Sequence, residues 1–138
     1  MYDKYEQKRG KSMKITTFDP IILTNNFDEV VSLFEALGFE RKHAPVTDTG
    51  THNVLSYRMK HPEGYHVDVA DIPDIERDKT YIRMNVDNFD EAYDIFMAHG
   101  FTNTRGDGTI DSKSAKAATL VSPSGFTLAL VQHIKNHD

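Results

Sequence analysis

Apolar positions in this chain follow two rhythms, and both rhythms occur twice. Along residues 26–39 the apolar side chains Phe27, Val30, Val31, Phe34 and Leu37 fall at helical spacing, and along residues 88–101 Phe89, Ala92, Tyr93 and Phe96 do the same. Set against each other at an offset of 62 residues, the two stretches are identical at eight of fourteen positions: Asn, Phe, Asp, Glu, and then Phe, Ala, Gly and Phe. Each stretch carries its own start and stop. Asn26 and Asn88 stand where an N-cap accepts a backbone N–H, with Glu29 and Glu91 three residues on, close to a capping box. Gly38 and Gly100 supply the left-handed residue that ends a helix. The pattern predicts helices over residues 26–37 and 88–99, packed through equivalent apolar stripes.

Around each helix the rhythm shortens to that of strands. Residues 15–24 are rich in β-branched side chains and predict a first strand, with Pro20 marking an edge or strand start. Residues 41–46, 53–60 and 65–72 predict three more, joined by a turn-rich stretch at 47–51 and a tight His61-Pro62-Glu63-Gly64 turn. After a polar joint at 73–79 the order returns: a strand at 80–86, the second helix, then strands at 102–105, 115–121 and 126–134. Ser122-Pro123-Ser124-Gly125 matches the earlier turn, and the loop at 106–111 matches 47–51 but is longer. Repetition of this kind marks repeated supersecondary units. The predicted fold is α+β, two βαβββ modules spanning 13–72 and 80–134, within one domain over 13–138.

Length fits that reading, since 138 residues form one compact domain and two half-size modules must share a core or find a partner. With 38% hydrophobic and 27% charged residues the composition is that of an ordinary globular protein. No stretch is long and apolar enough to span a membrane and the first residues lack an apolar signal core, so a cytoplasmic protein is expected. The chain has no cysteine, which excludes disulfides, thiolate metal sites and a cysteine nucleophile. A net charge of −5 argues against nucleic acid as the main partner. Lys4, Lys8, Arg9 and Lys11 make residues 1–12 locally basic, and these are read as an extension.

Two βαβββ modules, helices that open with Asn-Phe-Asp-Glu and close with Gly-Phe, and a Pro-x-Gly turn before each module's last strand together resemble the vicinal oxygen chelate superfamily, the group of glyoxalase I, bleomycin resistance proteins and extradiol dioxygenases. The resemblance covers residues 13 to about 134. It implies a curved, incomplete barrel with one helix per module outside and a ligand or metal inside, and it implies a homodimer, as small two-module chains of this group often complete their sites by association.

Strand alternation assigns side chains to that inner face. On the first strand Pro20, Ile22 and Thr24 oppose Asp19, Ile21 and Leu23; on the fifth, Ile82, Met84 and Val86 oppose Tyr81, Arg83 and Asn85. The apolar set belongs with the helices. On the closing strands Val67 and Val69 go with the helix, leaving His66, Asp68 and Ala70, while Leu128 and Leu130 leave Thr127, Ala129 and Val131. The candidate ligand site is therefore Asp19, Ile21, Leu23, His66, Asp68, Tyr81, Arg83, Asn85, Thr127 and Ala129, a mixed wall suited to a small molecule. The resemblance puts the metal ligands of metal-dependent members at Asp19, Asp68, Tyr81 and Ala129. Alanine cannot ligate and tyrosine seldom does so for hard divalent ions, so no metal cofactor is expected. The alternative is a set of Asp19, His66 and Asp68. Arg83 reads either as a receptor for an anionic ligand or as an internal partner of Asp19 or Asp68. The remaining histidines read as solvated. No phosphate loop or nucleophile elbow is present.

Three functions follow. One is a metal-free binding module of the bleomycin-resistance type. The second is a metal-dependent lyase, isomerase or dioxygenase, and the third is a non-catalytic subunit whose sheet serves association.

Overall fold

A computed structural model describes residues 13–43, 46–48, 53–106, 108–111 and 115–133. The basic extension at 1–12 lies outside the described residues. Two helices form where the helical rhythm predicts them, α1 (Phe27–Ala36) and α2 (Phe89–Ala98). Gly38 and Gly100 follow them at φ +103° and +85°, the left-handed conformation that ends each helix. The strands are β1 (Ile15–Thr24), β2 (Glu40–His43), β3 (Val46–Asp48), β4 (Asn53–Lys60), β5 (His66–Asp71), β6 (Lys79–Val86), β7 (Thr102–Asn103), β8 (Ile110–Asp111), β9 (Ala115–Val121) and β10 (Thr127–His133). The short β8 falls in a stretch expected to be a loop, and β3 begins at Val46, the last residue of an expected strand, and runs on into the expected turn at 47–51. Each pairs antiparallel with the following long strand, β4 or β9.

The chain divides into two compact units. One is Asp19–Ile82; the other combines the segment ending at Phe18 with that starting at Arg83. The division therefore falls inside β1 and β6, not at the polar joint. Polar bonds explain why the start of β1 goes with the later segment: Lys14 and Asp87 bond through Lys14 N to Asp87 Oδ1 (2.7 Å) and Asp87 N to Lys14 O (3.1 Å), and Met13 N donates to Glu91 Oε2 (2.7 Å). Sequence periodicity carries no trace of this tie.

In the Asp19–Ile82 unit the strands run β2-β4-β5-β1, with β1 parallel to β5 and the others antiparallel. α1 packs against β5, and Phe27 and Val31 bury with Met59, Val67 and Val69, flanked by Ile22, Phe34, Phe39 and Tyr57. Ile22, Val67 and Val69 thus stand on the helix side, as alternation requires. In the other unit β6-β10-β9-β7 follow one another, and α2 lies over β9 and β10. Its buried side chains include Phe89, Ala92, Ala118, Leu120, Leu128 and Leu130. Neither strand path closes on itself, and the fold is α+β with a mixed, unclosed sheet.

The helix caps differ between the modules. Asn88 accepts the Glu91 N–H at 3.1 Å, whereas Asn26 makes no side-chain cap bond and instead donates its own N–H to Thr24 Oγ1. The first N-cap is thus not made by its side chain, because β1 runs directly into α1 and Thr24 takes the turn. Nor is His61 solvated as expected: it is partly buried between the rings of Phe39 and Tyr65, and its Nδ1 accepts the Glu63 N–H. His99 and His133 are exposed.

Candidate functional site

In the Asp19–Ile82 unit the parallel pairing of β1 with β5 sets Ile21 beside Asp68 and Leu23 beside Ala70. Laterally paired residues share a sheet face, so Asp19, Ile21, Leu23, His66 and Asp68 all lie on the side away from α1. Asp19 and Asp68 are each 4% exposed, and His66, at the strand start, is exposed. The β4 partner of Asp68 is Arg58, and Arg58 Nε lies 3.9 Å from Asp68 Oδ2. Next along, Lys60 pairs with His66. Sequence reading missed Arg58 and Lys60, although alternation along β4 places both on this face once the β4–β5 register is known.

β6 carries Tyr81, Arg83 and Asn85 on one side by alternation. Arg83 is 6% and Asn85 4% exposed, and Tyr81 is partly buried. Asp19 and Arg83 both engage other groups of the protein. The Asn85 side-chain oxygen is buried and accepts no hydrogen bond from the described residues. In the same unit Thr127 and Ala129 of β10 stand opposite Val121 and Thr119 of β9, all partly buried, on the side away from the buried Leu128 and Leu130.

Do these residues suit a divalent metal? The donor set does not fit. Ala129 has no donor atom, and Asp68 is engaged by a guanidinium. The alternative set of Asp19, His66 and Asp68 stands on a face that also carries Arg58 and Lys60, whose charges oppose a bound cation. Among the described residues no three His, Asp or Glu side chains gather as a metal-ligating cluster.

Two surface depressions are lined by none of the ten predicted residues. One of about 240 Å³ is lined by Phe89, Asp90, Tyr93, Thr109 and Lys116, and one of about 230 Å³ by Glu40, Lys42, Lys60, His61 and Pro62. Both fall below the usual range of about 300–1,000 Å³ for a ligand pocket. In the first, Lys116 is already paired with Asp90 at 3.0 Å. Among the described residues no helix is long and apolar enough to cross a membrane.

No family model and no curated protein matches this sequence. Solved structures do match. The structure resembles methylmalonyl-CoA epimerase from Mycobacterium tuberculosis with a TM-score of 0.68 at 12% identity, over 88% of this chain and 90% of that one. A hypothetical protein from Bacillus halodurans gives 0.65 at 14% identity over 93% and 99% of the two chains. A methylmalonyl-CoA epimerase variant from Streptomyces coelicolor in complex with 2-nitronate-propionyl-CoA gives 0.62 at 15% identity, over 88% and 100%.

Proposed function

From the vicinal oxygen chelate fold that these likenesses show, we propose that the chain is a glyoxalase/bleomycin-resistance-like protein that holds a small organic ligand without a catalytic divalent metal. The observation that carries this reading is the donor set. Where the fold's metal-dependent members place their ligands, this chain has Asp19, Asp68, Tyr81 and Ala129, and Asp68 is bound to Arg58.

The ligand in this reading carries an acidic or strongly polar group, held by Arg83 and Tyr81, two residues apart on β6. The epimerase variant from Streptomyces coelicolor is in complex with 2-nitronate-propionyl-CoA, which supports a small organic ligand in this reading. Truncating a desolvated charged anchor costs about 2–5 kcal/mol of affinity. For a ligand found by thermal-shift screening, Arg83→Ala is expected to weaken binding about tenfold or more, and Asp19→Ala to leave it intact or improve it. Elemental analysis of the purified protein decides the metal question. Stoichiometric zinc, nickel, manganese or iron, held through Asp19 and Asp68 and needed for activity, would make this an enzyme and sink the proposal.

The proposal includes a cytoplasmic homodimer. Among the described residues each unit's strand path ends in β2 or β7 with no further strand beside it, and in this reading a second copy pairs with that edge. Sedimentation at micromolar concentration is expected to show a species of twice 15.7 kDa; only a 15.7 kDa species would remove the dimer.

A further inference from the structure

The 62-residue offset that superposes the two modules also shows where they part. It places Arg83 on Ile21 and Asn85 on Leu23. In the first module these positions are apolar and sit beside Asp68 and Ala70 on the face away from α1. The fold therefore accommodates a leucine at this point of the strand, and nothing in its strand pairing requires an amide. Yet the second module buries one. Asn85 is 4% exposed, and among the described residues no group donates a hydrogen bond to its buried Oδ1. Such an acceptor is unfavourable in the ligand-free protein and rewards any donor brought to it.

The surroundings suit a ligand as the source of that donor. β10 neighbours β6, and its residues away from the helix side, Ala129 and Val131, pair with Thr119 and Ala117 of β9. These are small or short side chains, and none reaches the Asn85 oxygen. Arg83 lies two residues along the same strand, about 6.5–7 Å of backbone away. A positive anchor and a neutral acceptor at that spacing complement a molecule with an anionic group and a donor a few bonds from it.

Resting on the reading above, we infer that Asn85 is a specificity-determining residue whose side-chain oxygen receives an N–H or O–H of the ligand, so that the site selects carboxylic acids bearing an amide, amine or hydroxyl donor. Acids lacking the donor are disfavoured, because their binding leaves the buried acceptor unmet.

Matched pairs of probes test this on the full chain by calorimetry: N-acetylglycine against acetoxyacetate, and N-benzoylglycine against benzoyloxyacetate, each pair differing only in N–H for ester oxygen. The amide of each pair is expected to bind about tenfold or more tightly than its ester. In Asn85→Leu that ratio falls to near one. The ligand-free variant is expected to melt at the same temperature or higher, since leucine removes the unmet acceptor. Equal binding of amide and ester by the unaltered protein, or a preference for the ester, overturns the inference and leaves the anion-binding reading standing. Discrimination that survives in Asn85→Leu overturns the assignment to this residue. A melting temperature several degrees lower in the ligand-free variant overturns it too, by showing that an internal water or protein group already meets the oxygen. Binding of neither member of any pair tells against the anion-binding reading itself, and the inference falls with it.

Discussion

At the scale of single residues, the carboxylate of Asp68 decides more than any other group, and what decides it is Arg58. The Asp68 side chain is almost fully buried, while that of Arg58 is 32% exposed, so the guanidinium keeps contact with water while compensating the buried charge. Removing it takes away one compensating charge from a buried carboxylate. Arg58→Ala is expected to lower stability by about 1–3 kcal/mol in urea unfolding, and a double-mutant cycle with Asp68→Asn to show that most of this loss is shared. Additive losses would mean that the 3.9 Å contact carries no coupling. Asp68 was legible in the sequence because alternation along one strand suffices to assign its face. Arg58 was not, because its role depends on which β4 residue stands beside Asp68, and register between strands leaves no mark in either strand alone. Asn85 was legible as a position but not as an unmet acceptor, which depends on everything packed round it.

Among the elements, the two helices were the most plainly written, with stripe, cap and closing glycine agreeing at each. Their symmetry is imperfect in a measurable way. Asn88→Ala is expected to cost about 1 kcal/mol, because it removes a bond to the Glu91 N–H. Asn26→Ala is expected to cost a few tenths at most, since its side chain makes no such bond; equal losses at the two sites in thermal unfolding would contradict the structure. The closing glycines are alike in both modules. A Cβ on Gly38 would meet His61 Nε2 at 3.0 Å, and one on Gly100 would meet Pro123 Cγ at 3.0 Å, in each case the turn before the module's last strand. With positive φ added to these contacts, Gly38→Ala and Gly100→Ala are each expected to destabilise by about 1–3 kcal/mol. β3 and β8 escaped prediction because three- and two-residue strands are too short for alternation to register. They exist by pairing with β4 and β9.

For the whole molecule, doubling made the architecture readable where single motifs would not, and the solved structures of the same fold agree at 12–15% identity. Identity that low leaves function to the site's own chemistry. What doubling concealed was the allocation of β1: its repeat partner suggests a strand wholly inside the first module, but the two residues just ahead of it, Lys14 and Met13, are bound to Asp87 and Glu91, 73 and 78 positions later. That tie has a meaning in time as well as in space. Synthesis runs from the N-terminal side, so Met13 and Lys14 just ahead of β1 wait for partners made more than seventy residues afterwards. Its exposed Ile15 and Phe18 spend that interval without their final neighbours. The unit that contains Arg83 is consequently completed by residues made well before it, and synthesis has to reach Glu91 before Met13 has its partner.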